Sequence, residues 1–430
     1  MTLKPSQVYV LLFSLYWAQG LPVGFMTHAL PVILRVQGVS LAQIGGFGLL
    51  MAPWAMKVLW APWVDTYDRG RWGHYRSWIL VTQAASIIIL IILSFLPIDA
   101  LNHPTYLLMF FIALLSMNTM GATQDIATDG LAVNLLRSDQ QHWGNMFQVM
   151  GSRLGFIVGG GAILWAMDLL TWQPTFLILA LLVFFNTLPI LRFKEPVHAL
   201  TTQHVVPMTS NRSAQTWRST LQGYRDYATQ TPSLSAWLAV LLTIKITDGL
   251  SGPITKPLLV DLGLSLSQIG IYISMLGALA ALLGAGLASL CLQRVQRRHA
   301  LVGFSVLKLL SLLGFAGLAQ QYDQGHPVAA WLIYSINAFE DASSAMLLVV
   351  ILTLVMQYSR KSHAATDFTL QVSIMALVSG VLYSISGVPG DYLGYQRYLY
   401  VISGLGVILL WPIVYWQVQA RKSAQHTTHG

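Results

Sequence analysis

The sequence predicts an all-α membrane protein with twelve transmembrane helices in two pseudo-symmetric bundles of six. Three observations predict it: a composition too apolar for a water-facing surface, twelve apolar runs of membrane-spanning length, and an internal repeat. Hydrophobic residues make up 55% of the 430 residues and charged residues only 9%, whereas soluble domains carry about 25% charged residues. The lipid bilayer is therefore the first expected partner of this chain.

The apolar runs are long enough for transmembrane helices, since about 20 apolar residues cross the hydrocarbon core. In chain order they lie near 8–34, 41–63, 77–97, 104–135, 142–168, 172–192, 233–260, 266–292, 299–320, 327–357, 364–388 and 395–419. A polar stretch separates the first six runs from the last six. We therefore expect an N-terminal bundle at 1–192, a cytoplasmic linker loop at 193–232 and a C-terminal bundle at 233–430.

The basic residues outside these runs predict the orientation. Seventeen Lys and Arg fall in one set of loops and tails, and only Arg35 and Arg397 fall in the other set. Because basic residues concentrate in cytoplasmic loops, both termini are predicted to be cytoplasmic. These loops account for the formal net charge of +8, so nucleic acid is not an expected partner.

An internal repeat relates the two halves. The signature Gly-x-Ser-Leu-x-Gln-Ile-Gly occurs at 38–45 and again at 263–270, between the first and second run of each half. Two further matches follow the same order, 19–24 with 248–253 and 124–125 with 340–341. Transporters built from such repeats bind their cargo near the membrane midplane, at the repeat interface.

Polar side chains inside the predicted spans are the candidate site residues, because an ionisable group at the bilayer centre costs several kcal/mol. Span four carries Gln124, Asp125 and Asp129, and the i, i+4 spacing puts both carboxylates on one helical face. Span five carries Gln148 in a polar stripe, with Arg153 beside it. One interpretation is a structural ion pair between Asp129 and Arg153; the sharper one is that Asp125 exchanges a proton during transport.

The second half offers a different set of charges. Lys245 and Asp248 are three residues apart in span seven, so they can neutralise each other. Glu340 and Asp341 are adjacent in span ten and point about 100° apart on a helix, so at most one faces a central cavity. Glu340 is our second candidate for proton coupling.

Three further lysines lie within spans and have no acidic residue nearby in the sequence. Lys57 is the deepest and is a candidate for the cavity. Lys256 and Lys308 are expected to extend their ammonium groups towards an interface, as long basic side chains do near helix ends.

Glycine and proline mark two mechanical features. Gln19 precedes Gly20 and Pro22 in span one, and span seven has a matching interruption at 249–253, which in transporters points to the binding site. These interruptions can also be simple kinks that help the bundle pack. In span five, glycines at 151, 155 and 159 form a face of small residues that predicts close approach of a neighbouring helix.

Other chemistry is excluded by the motifs that the sequence lacks. There is no phosphate-binding loop and no HExxH or paired metal-ligand spacing, and Cys291 is the one cysteine, so we expect no ATP-driven pump, no enzyme, no metal site and no cofactor. His28 in span one is a candidate site residue, or else a core histidine.

Three stretches carry a family resemblance: residues 19–22, 57–65 and 124–129. They resemble the AmpG-like branch of the major facilitator superfamily, and the resemblance covers essentially the whole chain. Residues 248–256 and 365–371 are closer to the siderophore permeases of the RhtX/FptX type within that branch.

The segment that ends at Asp65, followed by Arg69 and Arg71, also resembles the facilitator loop motif. In that motif the carboxylate lies beside a helix N-terminus and basic groups and latches the outward-open state. The basic residues are shifted in this sequence relative to the motif.

The resemblance implies the major facilitator fold, a place in the bacterial inner membrane, and import of a ferric siderophore from the periplasm by proton symport. It also adds Asp367 and Gln371, at the start of span eleven, to the candidate site residues. The alternatives are a muropeptide permease of the AmpG type and a small-molecule efflux transporter. The expected partners are protons and a small molecule, which is anionic if the protein imports a ferric siderophore or a muropeptide. The protein is expected to be a monomer.

Overall fold

The structure is a computed structural model, and it describes residues 5–30, 33–34, 37, 47–67, 72–96, 101, 103–163, 166, 170–195, 217–265 and 268–427. Contacts divide the chain into two units. Unit 1 comprises Met1–Val205 and Ser359–Thr369, and unit 2 comprises Val206–Tyr358 and Leu370–Gly430. The described residues of both units are helical throughout, with turns between the helices.

Unit 1 contains the helices of the first repeat. They are α1 (Pro5–Gly24), α2 (Ala52–Met56), α3 (Ala61–Thr66), α4 (His74–Ser94), α5 (Pro104–Leu135), α6 (Gln141–Phe156) and α7 (Trp172–Arg192). Irregular helical turns extend several of them: π-helical turns at Phe25–Ala29 and Ile157–Ala162, and 3₁₀ turns at Phe47–Met51 and Lys57–Leu59.

The helices that follow lie in unit 2, except for the start of α14, which the contacts assign to unit 1. They are α8 (Trp217–Ala228), α9 (Pro232–Thr243), α10 (Ile246–Asp261), α11 (Leu276–Leu292), α12 (Arg297–Asp323), α13 (Ala330–Tyr358), α14 (Ala364–Ile385), α15 (Gly387–Ile408) and α16 (Trp411–Thr427). A π-helical turn, Ile269–Met275, precedes α11, and a 3₁₀ turn, Lys361–His363, precedes α14.

Ten helical stretches in the described part of the chain are long and apolar enough to cross a membrane. Two predicted spans, 41–63 and 142–168, are not among them. The first is described only from residue 47 and contributes a shorter apolar helix, Leu49–Leu59. The second begins with α6, whose polar face includes Asn145, Gln148 and Arg153. The membrane fold is confirmed, and the count of twelve stays a prediction.

The glycine face of span five packs against α1, as predicted. A Cβ placed on Gly155 would lie 2.6 Å from the Cα of Gly20, and one on Gly151 would lie 2.7 Å from the Phe13 carbonyl oxygen. These helices touch through their backbones, which only residues without a side chain permit. Helix α1 is not interrupted at this point, since it continues through Gly20 and Pro22 to Gly24. Gly20 therefore allows close packing and does not break the helix.

The interruption of span seven lies earlier than predicted. The chain turns between α9 and α10, and Lys245 leaves the helical conformation there (φ −102°, ψ 4°). Helix α10 then runs on through Gly249, Gly252 and Pro253 to Asp261. The break places the charged pair Lys245 and Asp248 at the beginning of a new helix.

Helix α11 shows how one apolar span can serve two neighbours. Leu279, Leu283 and Leu287 recur every four residues and are exposed, which suits a face in contact with lipid. On the opposite side a Cβ on Gly284 would meet the backbone of Ala342 in α13 within 3 Å. Small residues thus let two helices pack closely while leucines face outward.

The polar stretch predicted as a linker loop contains a helix, α8. Residues 196–216 of this stretch, which precede α8, lie outside the described part of the chain. Tyr227 near the end of α8 is buried, and its hydroxyl donates to the carbonyl oxygen of Tyr358 at 3.0 Å. The linker is therefore attached to unit 2 through at least one buried side chain.

Candidate functional site

A buried ion pair lies inside unit 1. Lys57 sits in the 3₁₀ turn between α2 and α3, is 3% exposed, and binds Asp125 of α5 through its Nζ. The ring of Trp54 lies 5.6 Å from the same ammonium group, within cation–π range. Lys57, predicted from the sequence to be the deepest lysine, therefore pairs with Asp125, which was proposed from the sequence as a proton carrier.

Helix α1 adds an amide to this ion pair. With its amide oriented to satisfy its neighbours, Gln19 Nε2 donates to Asp125 Oδ1 at 3.0 Å. Gln124 lies one residue away on α5, and its Nε2 donates to the Leu15 carbonyl oxygen at 3.5 Å. The predicted site residues Gln19, Lys57, Gln124 and Asp125 are thus brought together.

A small recess opens beside these groups. Its volume is about 10 Å³, enough for about one water molecule. The polar side chains in its wall are Gln19, Ser86, Asn118 and Gln124, and apolar residues complete it. The recess is too small for any solute larger than water.

Asp129 lies one turn beyond Asp125, is 1% exposed and has only neutral donors. Its Oδ1 accepts from the Tyr16 hydroxyl at 2.5 Å and from Gln148 Nε2 at 3.4 Å. The predicted ion pair between Asp129 and Arg153 is wrong, because no ion pair joins these two described side chains. The physical reason is that the neutral donors Tyr16 and Gln148 satisfy the carboxylate instead.

Unit 2 holds a second, half-buried cluster, in which charges alternate. Lys245 Nζ lies 2.6 Å from Asp248 Oδ2, as the i, i+3 spacing predicted. Lys308 of α12 lies 3.3 Å from Asp248 Oδ1 and binds Glu340 of α13. Ser344 donates to Glu340 at 3.0 Å. The expectation that Lys308 extends to an interface is wrong, because two carboxylates on other helices hold it inside.

The adjacent carboxylates of α13 go to different neighbours. Glu340 takes part in the lysine cluster, whereas Asp341 accepts from Asn337 Nδ2 at 3.0 Å. A Cβ added to Gly277 of α11 would overlap the Asp341 carboxylate, so this side chain packs against α11. The divergence predicted from the helical geometry is confirmed.

Asp65 caps a helix, as its motif predicted. Its carboxylate accepts from the backbone N–H groups of Ala365 (3.1 Å) and Thr366 (2.7 Å) at the start of α14, and from the Tyr75 hydroxyl (2.5 Å). A carboxylate is favourable at a helix N-terminus, where backbone N–H groups lack partners. The other predicted latch residues, Arg69 and Arg71, lie outside the described residues.

The two candidates in α14 are engaged in local bonds. Asp367 accepts two hydrogen bonds from the Arg360 guanidinium, from Nε at 2.8 Å and from Nη2 at 2.9 Å. Gln371 is fully buried, accepts from Trp237 Nε1 at 2.7 Å and donates to the Val355 carbonyl oxygen. These bonds give both side chains a packing role. The side chains of His28 and Lys256 lie outside the described residues.

Tyr16 is the site residue that sequence reasoning missed. It stands in an apolar stretch of α1, where a tyrosine resembles any other core aromatic residue. Its spacing of three residues from Gln19 puts both on one face of α1, which is the signal that could have found it.

A model of the family "Acetyl-coenzyme A transporter 1" matches residues 7–166 of this chain. The "Anhydromuropeptide permease" of Escherichia coli (strain K12) is 27% identical over 374 residues, 85% of this chain and 71% of that protein. "Putative transporter AmpG 4" of Rickettsia conorii is 23% identical over 410 residues, 94% of this chain and 95% of that protein.

Solved structures share the fold. A bacterial homologue of the iron transporter ferroportin in an outward-facing state matches with a TM-score of 0.68 at 14% identity, over 97% of this chain and 100% of that one. The major facilitator transporter FucP in the outward conformation matches with a TM-score of 0.64 at 15% identity, over 96% of this chain and 98% of that one. The predicted resemblance to the AmpG-like branch is supported by the relatives, whereas closeness to siderophore permeases is not shown. The chain is a multi-pass membrane protein with the fold of the major facilitator transporter FucP, and its sequence is similar to a putative AmpG transporter and to an anhydromuropeptide permease.

Proposed function

We propose that this protein imports anionic sugar–peptides of the anhydromuropeptide class across the inner membrane, together with protons. The cargo class follows the name of the Escherichia coli relative that aligns with most of this chain. The observation that carries the transport chemistry is the buried cluster of Lys57, Asp125 and Asp129, since ionisable groups inside transmembrane segments are expensive and mark ion and substrate pathways.

Arg153 is the residue that we propose binds the anionic group of the cargo. Three other intramembrane cations with described side chains, Lys57, Lys245 and Lys308, are each paired with a carboxylate. Arg153 has no carboxylate partner among the described residues and is partly exposed. A guanidinium group binds carboxylates in a bidentate manner, so it suits a peptide carboxylate or the lactyl acid of a muramyl sugar.

The remaining site residues divide into two groups in this proposal. Seven further residues are proposed to contact the cargo directly or after the helices have moved: Gln19, Lys57, Gln124, Gln148, Lys245, Asp248 and Asp341. The carboxylates Asp125, Asp129 and Glu340 are the candidates for proton coupling.

Uptake of a radiolabelled anhydromuropeptide tests this function. Spheroplasts of a strain without its own anhydromuropeptide permease should accumulate the label only when they express this chain. Arg153→Gln should reduce uptake by about tenfold or more, the loss expected for about 1.4 kcal/mol or more of binding. The matched control is Arg137→Gln, which removes an exposed arginine just after α5 and should leave uptake unchanged. Wild-type uptake no higher than in the empty strain would contradict the proposal.

Ferric siderophore import is the second candidate. It rests on the resemblance, inferred from the sequence alone, of residues 248–256 and 365–371 to siderophore permeases. The same spheroplasts, supplied with radio-iron-loaded hydroxamate, catecholate and phenolate siderophores, distinguish the two cargoes. Iron accumulation without sugar–peptide accumulation would replace the first proposal with the second.

A further inference from the structure

Asp129 is a buried carboxyl group without a cation. Among the described residues, no Lys, Arg or His lies within ion-pair distance of it, and its two donors, Tyr16 and Gln148, are neutral. An ionised carboxylate removed from water costs several kcal/mol unless a cation compensates it. Burial without a cation therefore favours the neutral acid at this position.

With Asp129 ionised, the cluster around it has one negative charge in excess. Lys57, from the turn between α2 and α3, is the one described cation, and it binds Asp125. Asp125, one helical turn away on α5, repels a second negative charge on the same face. The neutral partners come from α1 (Tyr16) and α6 (Gln148). One proton, bound to Asp129, balances the cluster.

Tyr16 favours the opposite state. Its hydroxyl donates to Asp129 Oδ1 at 2.5 Å, and a hydrogen bond to an ionised oxygen is about twice as strong as one to a neutral oxygen. Asp129 lies on α5 and Tyr16 on α1. A shift of α1 along α5 would therefore make or break the bond and alter how tightly the proton is held.

We propose that Asp129 is the proton site of transport and that Tyr16 is the positioning residue that controls its release. This rests on the proposed proton-coupled function and assigns the site within it. When the Tyr16 bond forms, the carboxylic O–H bond breaks, the proton passes to water and the electron pair stays on Asp129. When the bond is lost, Asp129 takes a proton from water on the other side of the membrane.

Infrared difference spectroscopy of the purified full chain in lipid nanodiscs, titrated with pH, tests this assignment without any cargo. Asp129→Asn should remove one carboxylic-acid C=O band. Tyr16→Phe should keep that band to a pH about one to two units higher than in the wild type, because a hydrogen bond to a charged group is worth about 1.5–3 kcal/mol. Tyr9→Phe, also on α1, is the control: its ring stacks on Phe147 with centroids 5.4 Å apart, and its titration should match the wild type.

Two results would overturn the proposal. One is a carboxylic-acid band that persists unchanged in Asp129→Asn; the other is a Tyr16→Phe titration identical to that of the wild type. If Asp129→Asn does not fold, Tyr16→Phe decides alone, since it removes a single oxygen atom. Failure of wild-type vesicles to carry an anhydromuropeptide would refute the proposed cargo, whereas the infrared titration would still test the proton site.

Discussion

At the residue scale, lysines inside the membrane are stabilised by carboxylates on other helices. Lys57 reaches Asp125 across 68 positions of the chain, and Lys308 reaches Glu340 across 32. The energetic cost of an unpaired ion in a low-dielectric interior predicts that such partners exist. This cost does not identify the partner residues, because pairing between helices depends on how each helix is rotated and how deep each side chain lies in the membrane. Neither can be read from spacing in the sequence.

The Lys57–Asp125 pair provides a stability prediction. Lys57→Met should lower the free energy of unfolding by about 3–5 kcal/mol, because it leaves a buried carboxylate without its cation. The double variant Lys57→Met with Asp125→Leu should recover most of that loss, because it removes both charges. Thermal unfolding of the detergent-solubilised protein, followed by tryptophan fluorescence, measures both.

A double variant as unstable as Lys57→Met would contradict this account of the pair. A matched control is Arg137→Met at an exposed pair, in which Arg137 and Asp139 lie 3.5 Å apart and are both largely in solvent. Exposed pairs contribute about 0–1 kcal/mol, so this variant should unfold close to the wild-type temperature.

At the scale of elements, the contact between α1 and α6 was the most predictable feature. Three glycines spaced by four residues indicate a helix face without side chains, and the structure places the backbone of α1 on it. The irregular turns were less predictable. Pro22 suggested a break in α1, yet α1 continues to Gly24 and the π-helical turn follows at Phe25–Ala29.

Gly155→Ala tests the helix contact. The new Cβ would lie 2.6 Å from Gly20 Cα and 2.7 Å from the Trp17 carbonyl oxygen, and neither backbone atom can move without displacing α1. We expect a loss of about 1–3 kcal/mol of stability, typical of overpacked cores. The control is Gly161→Ala on the continuation of the same helix, where a Cβ would meet nothing within 4 Å.

The unfolding temperatures of these two glycine variants give the answer. Gly161→Ala should lie close to the wild type, and Gly155→Ala clearly below it. Equal temperatures for the two variants would mean that α1 and α6 separate without cost, contrary to their backbone contact.

At the scale of the whole molecule, composition and repeat were sufficient for the fold class, because the bilayer restricts spanning structures to few solutions. The second and fifth spans were harder to recognise in the structure, the latter because its polar stripe lowers its hydropathy. Candidate residues such as Lys57 and Asp125 followed from the cost of burial alone. Tyr16 did not, since its importance depends on Asp129 of another helix. The cargo could not be predicted, because one fold serves many solutes.

We propose above all that this protein moves an anionic sugar–peptide inward with protons. The most direct measurement follows label and internal pH together in sealed vesicles that contain the purified protein and are exposed to an anhydromuropeptide. With an inward proton gradient, we predict accumulation above the external concentration and additional internal acidification that starts with the cargo, both lost when a protonophore collapses the gradient. Accumulation that is indifferent to the gradient, or cargo entry without internal acidification, would contradict the account.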